Sequence, residues 1–120
     1  MDRITLSSMR FEGRLGATDE ERALPQLVEV DLDVEADLAA AGDSDALSDT
    51  VDYGPLVKLT ARTVETGSFN LLEGLAGAIA RGALAATPRI AAVTVRVRKL
   101  AVPMDVDMDH AEVEIRRERH

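Results

Sequence analysis

From Val28 the chain alternates without a break. Val28, Val30, Leu32, Val34 and Ala36 are apolar, and Glu29, Asp31, Asp33, Glu35 and Asp37 between them are all acids. Successive side chains of a strand point to opposite faces, so this segment predicts a strand with one apolar and one acidic face. Residues 3–11 predict an earlier strand in which the alternation is imperfect: Ile4 and Leu6 are followed by Ser7 and Ser8, then Met9 and Phe11. Gly13, Gly16 and Pro25 mark the loop between the two. Residues 39–50, rich in Ala, Gly, Asp and Ser, read as a connection with room for one short helical turn. Pro55 suits the first turn of a helix, and Leu56, Val57, Thr60, Ala61 and Val64 share one face of it up to Gly67. A second, more strongly patterned helix carries Leu71, Leu72, Leu75, Ala76, Ile79, Ala80, Ala83 and Leu84 on one stripe. Asn70 is its expected N-cap and Pro88 its stop. Two strands close the chain: Val93, Val95 and Val97 alternate with Thr94, Arg96 and Arg98, and Val113 and Ile115 with Glu112, Glu114 and Arg116. A loop around Pro103 joins them.

The order strand, strand, helix, helix, strand, strand predicts an α+β fold. Its economical form is a four-stranded antiparallel sheet with both helices on one face, a single domain over residues 1–120. The uncovered face would then carry acids on the second strand beside arginines on the third, and such cross-strand pairs are worth about 0.2–1 kcal/mol each. Composition adds two points. Phe11, Tyr53 and Phe69 are the only aromatics, so the core must be aliphatic and the single tyrosine stands apart. A domain of this length buries only about two thirds of its unfolded surface, which leaves association as a further source of stability.

The formal net charge of -8 disfavours phosphate backbones, and the basic residues near 96–99 and 116–119 are interleaved with acids or apolar residues, so nucleic acid is not expected as a partner. The chain has no cysteine, so the redox compartment is not indicated; with no apolar run of membrane-spanning length and no signal-like N-terminus, the expectation is a cytoplasmic protein with no membrane partner. His110 and His120 stand outside any metal-ligand spacing, and no metal or cofactor is expected.

Four side chains merit attention as chemistry. Lys99 continues the apolar parity of Val93, Val95 and Val97, where desolvation would make its amine a usable base; the other reading is that the strand ends at Arg98 and Lys99 snorkels outward. Glu73 lies three residues after Asn70, the spacing of a capping box, yet a carboxylate at a helix start can also bind an amidine-like N–H edge in bidentate fashion. Tyr53 sits in a connection before a helix, where a partly buried loop aromatic is the plain reading. Glu21 lies in the run Asp19-Glu20-Glu21-Arg22, where a solvated loop is the plainer reading.

With their neighbours these residues resemble the dihydroneopterin aldolase family. The similarity lies in Gly13-Arg14-Leu15-Gly16-Ala17, Glu21-Arg22 with Gln26, Thr50-Val51-Asp52-Tyr53-Gly54, Asn70-Leu71-Leu72-Glu73-Gly74 and Val95-Arg96-Val97-Arg98-Lys99 with Pro103, in order and over essentially the whole chain. The resemblance implies the tunnelling fold, in which four sheets join edge to edge into a ring and two rings stack, so a homo-oligomer, tetramer or octamer, with the pocket between adjacent subunits. It implies a small-molecule pterin substrate and a metal-free retro-aldol cleavage. Glu73 would anchor the ring, with the backbone around Leu72, Val51 and Asp52 completing recognition. Lys99 with a water would be the general base, Glu21 would organise the reacting end, and Tyr53 would relay the quenching proton. Related alternatives are an epimerase of the same substrate or its triphosphate, and a non-catalytic pterin-binding paralogue. The sequence departs from the family pattern at Leu15, where a histidine is usual, at Leu100, where proline is usual, and in the acidic stretch 104–108.

Overall fold

A computed structural model describes residues 1–102 and 104–120. Pro103, the pivot of the expected final loop, lies outside the described residues. The elements in order are β1 (Asp2–Leu15), α1 (Asp19–Ala23), β2 (Gln26–Ala36), α2 (Ala39–Ser44), a 3-10 turn (Leu47–Asp49), α3 (Tyr53–Thr66), β3 (Ser68–Phe69), α4 (Leu72–Ala86), β4 (Ala92–Lys99) and β5 (Ala111–Glu118). The sheet order is β3-β1-β2-β4-β5. Four strands form the antiparallel sheet the pattern predicts, and the fifth, β3, is a two-residue addition that runs parallel to β1 at Arg14 and Leu15.

β2 behaves as its alternation requires. Val28, Val30, Leu32 and Val34 are fully buried, as are Val93, Val95 and Val97 of β4 opposite them. Against this face pack Leu56, Thr60 and Val64 of α3 and Leu75, Ala76, Ile79, Ala80 and Ala83 of α4. The Thr60 hydroxyl is satisfied by donating to the Leu56 carbonyl at 2.7 Å. Val57, placed on the buried stripe by periodicity, is exposed instead. Gly13 permits the close approach of α3 to β1: a Cβ there would stand 2.7 Å from Val64 Cγ1 and 2.8 Å from the Val64 carbonyl oxygen.

The broken alternation of β1 has a structural cause. Ile4 and Leu6 pair with Val34 and Leu32, and Met9 and Phe11 pair with Val30 and Val28, with a register shift between Leu6 and Met9. Ser7 and Ser8 form a bulge that returns the apolar residues to the covered face. Ser8 takes a left-handed backbone, φ 57°, and its N–H donates to Asp31 Oδ1 at 2.7 Å.

The open face is a lattice of ion pairs. Arg98, opposite Glu29, donates to Glu29, to both oxygens of Asp31 and to Glu112, all at 2.7–2.8 Å. Arg96 reaches Asp31 at 3.0 Å and Asp33 at 2.9 Å. Glu29, Asp31, Asp33 and Arg98 are all buried by one another, although no helix covers them. The Arg98 guanidinium, with the Ser8 amide and Arg96, holds the Asp31 carboxyl well below the usual carboxylate range.

Three local expectations are corrected. The charged run at 19–23 is not an open loop but α1, started by Thr18, whose hydroxyl accepts from the Glu21 N–H at 3.2 Å. Asn70 does not cap α4: the cap position is Leu71, with no side-chain bond, because β3 pins the preceding residues to β1 and the Gly16 N–H donates to the Phe69 carbonyl at 3.0 Å. The capping-box reading of Glu73 therefore fails. Tyr53 is not in a connection but is the first residue of α3, two before Pro55, with the Asp52 carboxylate accepting from the Gly54 N–H at 3.0 Å as the cap.

Candidate active site

Lys99 is the last residue of β4, on the helix-facing parity set by Val93, Val95 and Val97, and pairs in register with Val28 and Ala111. It is 8% exposed, so the snorkelling alternative does not hold. Its Nζ donates to Glu21 Oε2 at 2.5 Å. A buried ammonium needs such a partner, and the bond draws Glu21 down in turn: the Lys99 ammonium, with help from Thr18, lowers the Glu21 carboxyl below its ordinary value. Glu21 is half-buried and borders a cleft of about 370 Å³ with Glu20, Leu24, Pro25, Gln26, Ala101 and Val102.

Glu21 stands where it does because α1 is tied down on several sides. The Arg14 guanidinium donates to the Arg22 carbonyl at 3.0 Å and to the Ala23 carbonyl, and Arg22 returns to the Gly16 carbonyl at 2.7 Å. Gln26 Nε2 donates to the Leu15 carbonyl at 2.6 Å and the Glu21 carbonyl at 2.9 Å. A Cβ on Gly16 would lie 2.4 Å from Glu21 Cβ and 2.7 Å from its Oε2, so glycine leaves the room the carboxylate occupies. Sequence reasoning found Glu21 and Lys99 separately, but not the tethers.

Glu73 lies in the first turn of α4, exposed, where the helix dipole favours a carboxylate. Leu72 is half-buried beside it and packs on the core. The path from Glu73 to Glu21 is short in structural terms: α4 begins after β3, β3 pairs with the end of β1, and Gly16, bonded to Phe69, touches Glu21. Lys99, Glu21 and Glu73 thus share one end of the sheet.

Tyr53 is elsewhere. It is exposed at the rim of a separate cavity of about 380 Å³ formed with Ile4, Leu47, Thr50, Val51, Asp52 and Gly54. Ile4 aligns through Val34 with Val93 at the start of β4, six residues before Lys99. At about 3.3 Å per residue that is roughly 20 Å away along the strand. The Val51 side chain is core, 2% exposed, so Val51 presents backbone to a ligand, while the exposed Asp52 accepts the Gly54 N–H through Oδ1. Leu15, where the family pattern has histidine, is likewise core at 2% exposed. The cleft beside Glu21 and the cavity beside Tyr53 therefore lie at opposite ends of one sheet. Among the described residues, no group of three or more His, Cys, Asp or Glu is placed to hold a metal ion, and no helix is long and apolar enough to cross a membrane.

Comparison with known proteins follows the same lines. The family model described as "FolB: Dihydroneopterin aldolase" matches residues 4–116. A dihydroneopterin aldolase of Streptococcus pyogenes is 41% identical over 119 residues, covering 99% of this chain and all (100%) of the relative. Among solved structures, the dihydroneopterin aldolase of Burkholderia thailendensis bound to guanine superposes with a TM-score of 0.80 at 30% identity, covering 99% of this chain and 92% of that one. The Escherichia coli dihydroneopterin aldolase in complex with neopterin shares the fold at a TM-score of 0.89, with 23% identity and coverage of 98% and 99%.

Proposed function

Because the chain belongs to the dihydroneopterin aldolase family, we propose that it cleaves 7,8-dihydroneopterin into 6-hydroxymethyl-7,8-dihydropterin and glycolaldehyde, a step of folate biosynthesis, at a site shared between two copies of the chain. The observation that carries this reading is the Lys99–Glu21 pair, a buried amine held by a carboxylate at the mouth of a cleft. Lys99, acting in its neutral amine form, takes the proton of the side-chain hydroxyl through a water. The carbon–carbon bond breaks, its electron pair passes into the imine of the dihydropterin ring, and the aldehyde leaves. Tyr53 passes a proton to the resulting carbon. Glu21, kept ionised, holds the Lys99 amine in place. A positioned acid or base of this kind contributes about 10²–10⁴-fold.

Recognition of the ring falls to Glu73. Its carboxylate accepts from the ring N–H and the 2-amino group together, a charge-assisted bidentate pair. Guanine, the ligand of the Burkholderia relative, presents the same edge.

Tyr53 reaches this end of the sheet from a second copy. The outer edge of β1 from Asp2 to Gly13 and the outer edge of β5 have no partner strand among the described residues, and unpaired edges invite strand addition. β1 of one copy against β5 of the next gives a head-to-tail contact that closes into a ring, with the ion-pair lattice lining its inside. With the contact staggered so that the Ile4 end of one copy's β1 lies beside the Ala111 end of the next copy's β5, the cavity beside Tyr53 of one copy completes the cleft beside Glu21 of its neighbour.

The test has two parts. Dihydroneopterin is incubated with the protein and the products are separated; glycolaldehyde release is expected, and epimerised pterin without glycolaldehyde would make the chain an epimerase instead. Tyr53→Ala and Glu73→Ala chains, each inactive, are then unfolded together and refolded. If sites are shared, about a quarter of all interfaces in the mixed oligomers pair an intact Tyr53 with an intact Glu73 and activity returns. No recovery in a mixed oligomer would refute the shared site.

A further inference from the structure

Glu21 can serve Lys99 only if its peptide is held still, and α1 is too short to do this alone. A helix of five residues is far below the length at which helices are stable in water. Four contacts compensate, and only two grip Glu21 itself. One is the Thr18 hydroxyl on its N–H. The other is Gln26, whose side-chain amide donates to the carbonyls of both Leu15 and Glu21. Two carbonyl acceptors demand the NH₂ end of the amide, so its orientation is fixed by chemistry. Both donors are spent on main chain, and Gln26 has no N–H left for a ligand even though it borders the cleft.

Gln26 differs from the other tethers in what it is built on. It is the first residue of β2 and pairs with Gly13 of β1. Two residues on is Val28, fully buried, whose cross-strand partner is Lys99. Gln26, Val28 and Lys99 share the helix-facing parity. One strand therefore places the amine directly and the carboxylate through a single amide. From the far side, Gly16 leaves just the space the Glu21 side chain fills.

We infer that Gln26 is a positioning residue for the reaction: it acts through Glu21, locking the carboxylate onto Lys99, and makes no contact with substrate. This rests on the functional reading above, in which the Lys99–Glu21 pair works on the reacting end while Glu73 holds the ring. Gln26 then governs turnover and not ring binding.

The experiment is a double-mutant cycle in the intact oligomer, with kcat, KM and the pH profile of kcat measured for Gln26→Met, Glu21→Gln and the pair. Methionine keeps the length and volume of the side chain and removes both donors. The expected result is a fall in kcat of tenfold or more for Gln26→Met, with KM within about threefold, and an acid limb of the kcat profile moved to higher pH, because a freed Glu21 loses the bond that lowers its carboxyl. In the Glu21→Gln background the same substitution should cost less than twofold more. Equal losses in both backgrounds, or a Gln26→Met enzyme within twofold of the unsubstituted kcat, would overturn the inference. A Glu21→Gln enzyme with undiminished kcat would instead remove Glu21 from the reaction, a failure of the functional reading itself. Should Gln26→Met not assemble, Gln26→Asn, whose amide falls one methylene short of the two carbonyls, goes through the same cycle and is judged by the same results.

Discussion

Arg98→Met removes a guanidinium from the centre of the open face and keeps most of the side chain's bulk. Breaking a buried ion pair by deleting one partner costs about 3–5 kcal/mol, because the other charge is left uncompensated. The structure says where in that range to look. Glu29 keeps Arg10, 2.8 Å away, and Asp31 keeps Arg96 at 3.0 Å and the Ser8 N–H at 2.7 Å. Glu112, the third partner, is 34% exposed in its side chain and loses little. No buried carboxylate is orphaned, so the low end applies, about 3 kcal/mol. The pH dependence follows from the same contacts. Arg10 and Arg98 lower the Glu29 carboxyl, and Arg98 first among several donors lowers that of Asp31. A carboxyl depressed on folding contributes stability that is present above its unfolded value, about 4, and is lost as the pH falls toward its folded value. Arg98→Met raises the folded values, so the variant has less to lose on acidification. Urea unfolding followed by circular dichroism at pH 7, 4 and 3, at one protein concentration because the proposed association would enter the apparent stability, should show the largest difference between the two proteins at pH 7 and a shrinking one below pH 4. A difference under about 1 kcal/mol at pH 7 would place these charges among ordinary surface pairs. A difference that does not change with pH would refute the electrostatic account and leave packing.

Lys99→Ala should retain the fold, since Lys99 ends its strand, while kcat for glycolaldehyde release falls by about 10²–10⁴; steady-state kinetics decide. Glu73→Gln should weaken pterin binding more than tenfold in a fluorescence titration while helix content stays constant, because Glu73 takes no part in capping α4; loss of melting temperature with binding intact would make it a structural residue after all. Gly13→Ala should destabilise by about 1–3 kcal/mol, the ordinary cost of overpacking, since its Cβ would sit 2.8 Å from the Val64 carbonyl oxygen, and backbone yields less readily than a side-chain tip.

The parts of the molecule that parity controls were legible in the sequence. β2 could be placed from its alternation because one face meets helices and the other meets charge, and Lys99 could be placed on the apolar side by extending the count from Val93. Parity fails wherever the deciding partner is distant. Ser7-Ser8 reads as a defect in β1 until Asp31, 23 positions away, accepts the Ser8 N–H. Asn70 has the right chemistry for a cap, but the pairing of β3 with β1 fixes the chain first, and the helix starts after Leu71. α1 reads as a solvated charge run because its stability is borrowed from Arg14 and Gln26 outside it. Each of these misreadings is local propensity overruled by tertiary contact. The site repeats the lesson on a larger scale. Glu21 and Lys99 lie 78 positions apart in the chain and meet through strands whose register the pattern dictates. Tyr53 meets neither, and nothing in one chain's periodicity can bring it to them. In the proposed ring its counterparts belong to a neighbouring copy, and a hydrophobic pattern specifies register only between strands that bury a common face.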